Sequence, residues 1–94
     1  VLLKLNQKSD YEKIVKDVNS MLRSIPTANN LFIGKHVETK RKEINKDYDC
    51  AIVVDFVDDI PYMEYLKHRG HIEFVDKWRS RCESITIYDI SIDW

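Results

Sequence analysis

The sequence predicts one small α+β domain with a four-stranded antiparallel sheet, and three observations predict it. Short apolar runs of strand length alternate with stretches of helical periodicity in the order strand, helix, strand, strand, helix, strand. The chain has 94 residues, which is about one small domain, and such a chain buries only roughly 60 to 65% of its unfolded surface. With 44% hydrophobic residues and only 2 Gly and 2 Pro, it has the composition of a folded chain without a linker or repeat.

Val1 to Leu5 is a run of Val and Leu long enough for a first strand, and the polar Asn6 to Ser9 ends it. Ser9 or Asp10 is placed to cap a helix in which Tyr11, Ile14, Val15, Val18, Met21, Leu22 and Ile25 recur at three- and four-residue steps. Pro26 stops it. Leu31 to Val37 reads as the second strand, with Gly34 marking a bulge or a close backbone approach. Glu38 to Asp47 is a mixed-charge loop.

Tyr48 to Val57 is the third strand, and its unbroken Cys50-Ala51-Ile52-Val53-Val54 requires both faces to be buried. Asp58 or Asp59 caps a second helical region bearing Ile60, Tyr62, Met63 and Leu66, with Pro61 in its first turn. Gly70 interrupts the pattern, and helical spacing resumes through Ile72, Val75, Trp78 and Cys82, so two helices bent at His68 to His71 are expected. Ile85 to Trp94 closes the chain as a strand with a bulge near Tyr88.

This order is a ferredoxin-like βαββαβ arrangement, and right-handed crossovers put both helical regions on one face of the sheet. The other face is then bare yet apolar, because the third strand is apolar on both sides and the last offers Tyr88, Ile90, Ile92 and Trp94. An exposed patch of several hundred Å² calls for a partner, and a second copy packing sheet to sheet is the simplest one. A homodimer with Tyr88, Ile90, Ile92 and Trp94 at its interface is therefore expected.

Charge excludes several functions. Fifteen basic against sixteen acidic residues give a formal net charge of −1, which argues against nucleic-acid and membrane-surface binding. No apolar run approaches the roughly 20 residues of a membrane span, and a cytoplasmic protein is expected. The chain begins at Val1 rather than Met, so a targeting signal preceding it would go unseen. Cys50 and Cys82 lack the spacing of a metal knuckle or redox pair and read as small buried apolar residues. Asp49, Asp55 and Asp89 lie near strand ends but without ligand spacing. No metal and no cofactor is expected, and no phosphate loop or Ser-His-Asp signature is present.

The segments Tyr48-Asp49-Cys50-Ala51-Ile52-Val53-Val54-Asp55-Phe56, Tyr65-Leu66-Lys67-His68-Arg69-Gly70-His71-Ile72-Glu73-Phe74 and Ile87-Tyr88-Asp89 resemble the stress-responsive A/B barrel family. The resemblance extends over nearly the whole chain, and it implies a dimeric α+β barrel with a cleft between sheet and helices in each protomer. It does not imply one activity. Members include plant defence-related proteins and a polyketide cyclase that uses a Tyr and a His, which Tyr65 and His71 match by position. Arg69 and Gly70 depart from the family's usual Pro and small residue, and the first strand holds no His.

Two functions follow as expectations. One is a stress-related domain that binds a small apolar molecule in its cleft, with His68 and Trp78 lining the cleft or backing it. The other is a cofactor-independent cyclase or lyase acting on an enolisable, polyketide-like substrate, with His71 as base and Tyr65 as donor. The structural alternatives are a His71 that starts a helix and bonds a backbone carbonyl, a Tyr65 at the core rim, and a Trp78 in the core.

Overall fold

A computed structural model describes residues 1–92 and gives the order β1 (Leu2–Leu5), a 3-10 turn (Lys8–Asp10), α1 (Tyr11–Ser24), β2 (Asn30–Gly34), β3 (Cys50–Asp55), α2 (Asp59–Lys67), α3 (Arg69–Arg79) and β4 (Cys82–Thr86). The four strands form one sheet in the order β2-β3-β1-β4, with every pairing antiparallel, which is the ferredoxin-like topology. Trp94 lies outside the described residues.

Burial follows the two periodicities of the sequence. Ile14, Val18 and Met21 of α1 are buried and pack with Leu3, Leu5, Leu31, Cys50 and Ile52 from one sheet face and Trp78 from α3. Trp78 is 1% exposed and donates its indole N–H to Asp17 of α1 at 2.8 Å, where Lys77 also reaches the same carboxylate at 2.7 Å. The bond removes the cost of burying an indole N–H and ties α3 to α1.

Several boundaries differ from the sequence reading. The last strand is Cys82–Thr86 rather than Ile85 to Trp94, because β1 offers only Leu2–Leu5 to pair with, from Leu2 opposite Thr86 to Leu5 opposite Cys82. Cys82 consequently belongs to a strand and not to the preceding helix. The irregularity expected near Tyr88 falls instead between Lys4 and Leu5. The second strand ends at Gly34, which pairs regularly with Ala51, so Gly34 is not a bulge. α1 is entered through the 3-10 turn, and Asp10 at its N-cap makes no side-chain capping bond. Asp58 does cap α2, accepting from the Ile60 N–H at 2.9 Å.

The third strand is not buried on both faces within the chain. Cys50 and Ile52 face the helices, while Val53 is 53% exposed and its direct partner Phe32 is 61% exposed. The two cysteines flank β1, Cys50 opposite Leu3 and Cys82 opposite Leu5. Two strand spacings of about 4.8 Å separate their backbones, beyond the roughly 7 Å a disulfide spans. Both are free thiols, and burial pushes the Cys50 thiol up to about 11, which keeps it protonated.

The helical region between β3 and β4 breaks at one residue. His68 is extended, with φ −67° and ψ 138°, and its Nδ1 accepts from the Gly70 N–H at 3.0 Å, capping α3. Gly70 sits hard against the end of α1, where a Cβ would lie 2.6 Å from Ser24 Oγ and 3.5 Å from Ile25 Cγ1. Gly70→Ala should therefore cost about 1 kcal/mol in urea unfolding despite its gain in helix propensity, and Ser24→Ala in the same chain should recover most of it. Equal stability of Gly70→Ala and the native chain would contradict this packing.

Candidate functional site

The break at His68 brings Tyr65, in the last turns of α2, against His71, in the first turn of α3. Six residues apart on one straight helix, the two would sit on different faces. With the bend, their ring centroids lie 4.4 Å apart. Phe56, just after β3, packs on Tyr65 at 5.1 Å and on Tyr62 at 5.4 Å, so three aromatic rings and an imidazole form one wall.

Tyr65 is 8% exposed, and its hydroxyl takes no hydrogen-bond partner among the described residues. Burial pushes the phenol up to about 12, so it remains a donor at neutral pH. His71 is half-buried, and its Nδ1 lies 3.3 Å from the carbonyl oxygen of Leu66. A carbonyl only accepts, so this contact selects the tautomer with the proton on Nδ1 and leaves the lone pair on Nε2. Desolvation lowers the His71 pKa and outweighs the contact with Leu66, which acts in the opposite direction. The pair is thus a neutral base beside a protonated phenol, the complementary states that proton abstraction next to a carbonyl requires.

The other predicted positions are distributed as follows. His68 is the cap of α3, its Nδ1 occupied by the Gly70 N–H. Trp78 is in the core between α1 and α3, with Asp17 as its polar partner. Tyr88, Ile90 and Ile92 lie beyond β4 and are exposed. Among the described residues no group of three or more His, Cys, Asp or Glu is placed to hold a metal ion. Asp49 is engaged by Lys8 at 2.7 Å and by the Leu5 N–H at 2.6 Å, and Asp89 accepts from the Tyr62 hydroxyl at 2.6 Å.

Two open grooves lie on the helical side. One of about 320 Å³ runs between α1 and α3 beside Met21, Gly70 and Phe74. The other, of about 250 Å³, lies on α2 at Ile60, Met63 and Lys67. Neither is lined by Tyr65 or His71. Phe56, Tyr62 and Asp89 are the members of this neighbourhood that the sequence reading did not assign to it. Tyr62 precedes Tyr65 by three residues on one helix, a spacing that puts both on one face, and that was the available signal.

The two ionisations give a test. An NMR titration should place the His71 imidazole below the ordinary 6.5. Because the folded state binds fewer protons there than the unfolded one, His71 should draw stability down as pH falls below about 6.5, and His71→Gln should flatten that slope. A midpoint at or above 6.5 would contradict the burial. At the alkaline end, one tyrosinate should appear near 12 and vanish in Tyr65→Phe.

Comparison with known proteins agrees with this architecture. The chain is 28% identical over 82 residues to olivetolic acid cyclase of Cannabis sativa, covering 87% of this chain and 79% of that protein. It superposes on the crystal structure of the Arabidopsis thaliana protein At3g17210 with a TM-score of 0.73 at 17% identity, covering 99% of this chain and 94% of the other, a likeness of fold. The family model described as the Stress responsive A/B Barrel Domain matches residues 1–92, and the chain belongs to that family.

Proposed function

We propose that this chain acts as a homodimeric α+β-barrel domain that binds a small apolar molecule at the Tyr65–His71 pair, in keeping with the stress-related role its family name carries. One observation supports the ligand above all. The Tyr65 hydroxyl and His71 Nε2 are two polar atoms set in an aromatic wall without partners among the described residues. A ligand with one hydrogen-bonding group and an apolar body would satisfy both atoms and cover the rings. Support for the dimer comes from the bare sheet face with Phe32 and Val53 exposed on it, and from the apolar Ile87, Ile90 and Ile92 beyond β4.

A second reading is favoured by the tautomer that the Leu66 carbonyl selects. With its lone pair on Nε2, His71 would take a proton from a carbon next to a carbonyl, and Tyr65 would donate to the developing enolate oxygen. The pair would then catalyse an aldol-type cyclisation of a linear β-polyketide without a cofactor. The cyclase similar to this chain supports that reaction class, and no other feature of the chain chooses the substrate. Localisation in the cytoplasm would suit either reading. Among the described residues no helix is long and apolar enough to cross a membrane.

Sedimentation of the native chain should give twice the chain mass, and a monomer at every concentration would refute the dimer. Addition of a linear 3,5,7-triketo thioester should shift the His71 imidazole resonances, and an unperturbed spectrum would remove the binding reading. If the pair is catalytic, cyclisation should be measurable, with His71→Ala lowering the rate by roughly 10² to 10⁴ and Tyr65→Phe by about tenfold or more. Binding without turnover would leave the first reading alone.

A further inference from the structure

The wall that holds Tyr65 and His71 is nearly closed. Tyr65 is 8% exposed, so a ligand of more than a few atoms reaches its hydroxyl only if a neighbouring ring moves aside. The neighbours are not equally free to move. His71 stands in the first turn of α3 with Nδ1 on the Leu66 carbonyl. Tyr65 belongs to the core and Phe56 packs against that core, whereas Tyr62 does neither. Tyr62 is half-buried, and its ring meets the wall at Phe56, edge to face with centroids 5.4 Å apart. A tyrosine on a helix has two favoured χ1 rotamers, so this ring can swing outward without disturbing α2.

What opposes that swing is the segment beyond β4. Residues 87–92 are all exposed and run past the end of the ladder that β4 forms with β1. Among the described residues their backbone makes no hydrogen bond, and the side-chain bond that fastens them runs from the Tyr62 hydroxyl to Asp89 Oδ2 at 2.6 Å. A short bond to a carboxylate is of the stronger kind, yet an exposed one opens at low cost. It joins the least anchored ring of the wall to a stretch of chain that lies in solvent, so ring and segment are held together or released together.

We propose that the bond between Tyr62 and Asp89 is a latch on the Tyr65–His71 site. With the bond made, Tyr62 keeps Phe56 against Tyr65. With it broken, Tyr62 swings out, Phe56 gains room, and the Tyr65 hydroxyl is uncovered to an incoming ligand. The proposal rests on the reading of Tyr65 and His71 as a binding site and adds how that site opens.

The test uses Tyr62→Phe, Asp89→Ala and the double variant. Tyr62→Phe keeps the ring, and Asp89 is exposed, so neither change opens a cavity. A first measurement establishes the bond in solution: the Tyr62 phenol is held above the ordinary 10 chiefly by its bond to Asp89, and its alkaline midpoint should fall in Asp89→Ala. An unchanged midpoint would overturn the latch. With the bond lost, NMR relaxation should show reduced backbone order at residues 87–90. The Tyr65 ring should then flip faster by about two- to tenfold, the weight of one exposed hydrogen bond, and the linear 3,5,7-triketo thioester should associate faster by a similar factor. The double variant should match the single ones, because both remove the same bond. A native flip rate in variants whose residues 87–90 have loosened would overturn the proposal, by showing that the segment is fastened but the site is not. Additive effects of the two substitutions would overturn it too, because each would then act through something other than their bond. Faster flipping with a thioester that binds no form of the chain would overturn the binding reading and support the latch as a property of the wall.

Discussion

The crossover from β3 to β4 turns at His68, and the arrangement of every group at the site depends on that turn. An extended residue between two helices leaves the first N–H groups of α3 without intrahelical partners, and the His68 imidazole satisfies one of them through Gly70. Gly70 then allows α3 to press against the end of α1 at Ser24 and Ile25, where a Cβ would meet the Ser24 hydroxyl at 2.6 Å. Farther along α3, Trp78 and Lys77 meet on Asp17. With both ends of α3 fixed to α1, His71 in its first turn is held over Tyr65. His68 and Gly70 therefore act on the site through the backbone, without a place in its chemistry.

A second constraint comes from size. A chain of 94 residues has material for one core, and that core lies between the helices and one sheet face. The strands cannot hide their alternate residues within the chain, which is why Phe32 and Val53 face outward. A solvated sheet face would be expected to alternate polar with apolar residues, and this one is polar only at its margins, through Asn30, Asp55, Lys4, Ser84 and Thr86. The apolar centre is therefore left open in the single chain, with Phe32 61% and Val53 53% exposed.

Much of this was legible in the sequence. The three- and four-residue rhythm of Ile14, Val18 and Met21 named the buried face of α1, and Pro26 its end. Gly70 signalled the helix break, and the element order gave the topology. The errors arose where pairing, not composition, decides. The run from Ile85 to Ile92 is as apolar as a strand should be, yet β1 is long enough to pair with only part of it, and strand limits are set by the neighbour. The continuous apolar stretch in β3 read as burial on both faces, which does not hold within the chain, where Val53 is 53% exposed. At the site, Tyr65 and His71 could be picked out by position, but the contact with the Leu66 carbonyl could not, because it depends on the angle of the bend. Tyr62 and Asp89 are far apart in sequence and carry no joint pattern that would have paired them.

That last pair links the two regions of functional interest. Asp89 belongs to the segment beyond β4 whose Ile87, Ile90 and Ile92 are exposed, and its carboxylate holds the Tyr62 hydroxyl at 2.6 Å. Tyr62 packs on Phe56, Phe56 on Tyr65, and Tyr65 on His71, so contacts run without a break from the tail to the imidazole. The segment beyond β4 is thus tied to the aromatic wall through the exposed Tyr62–Asp89 bond.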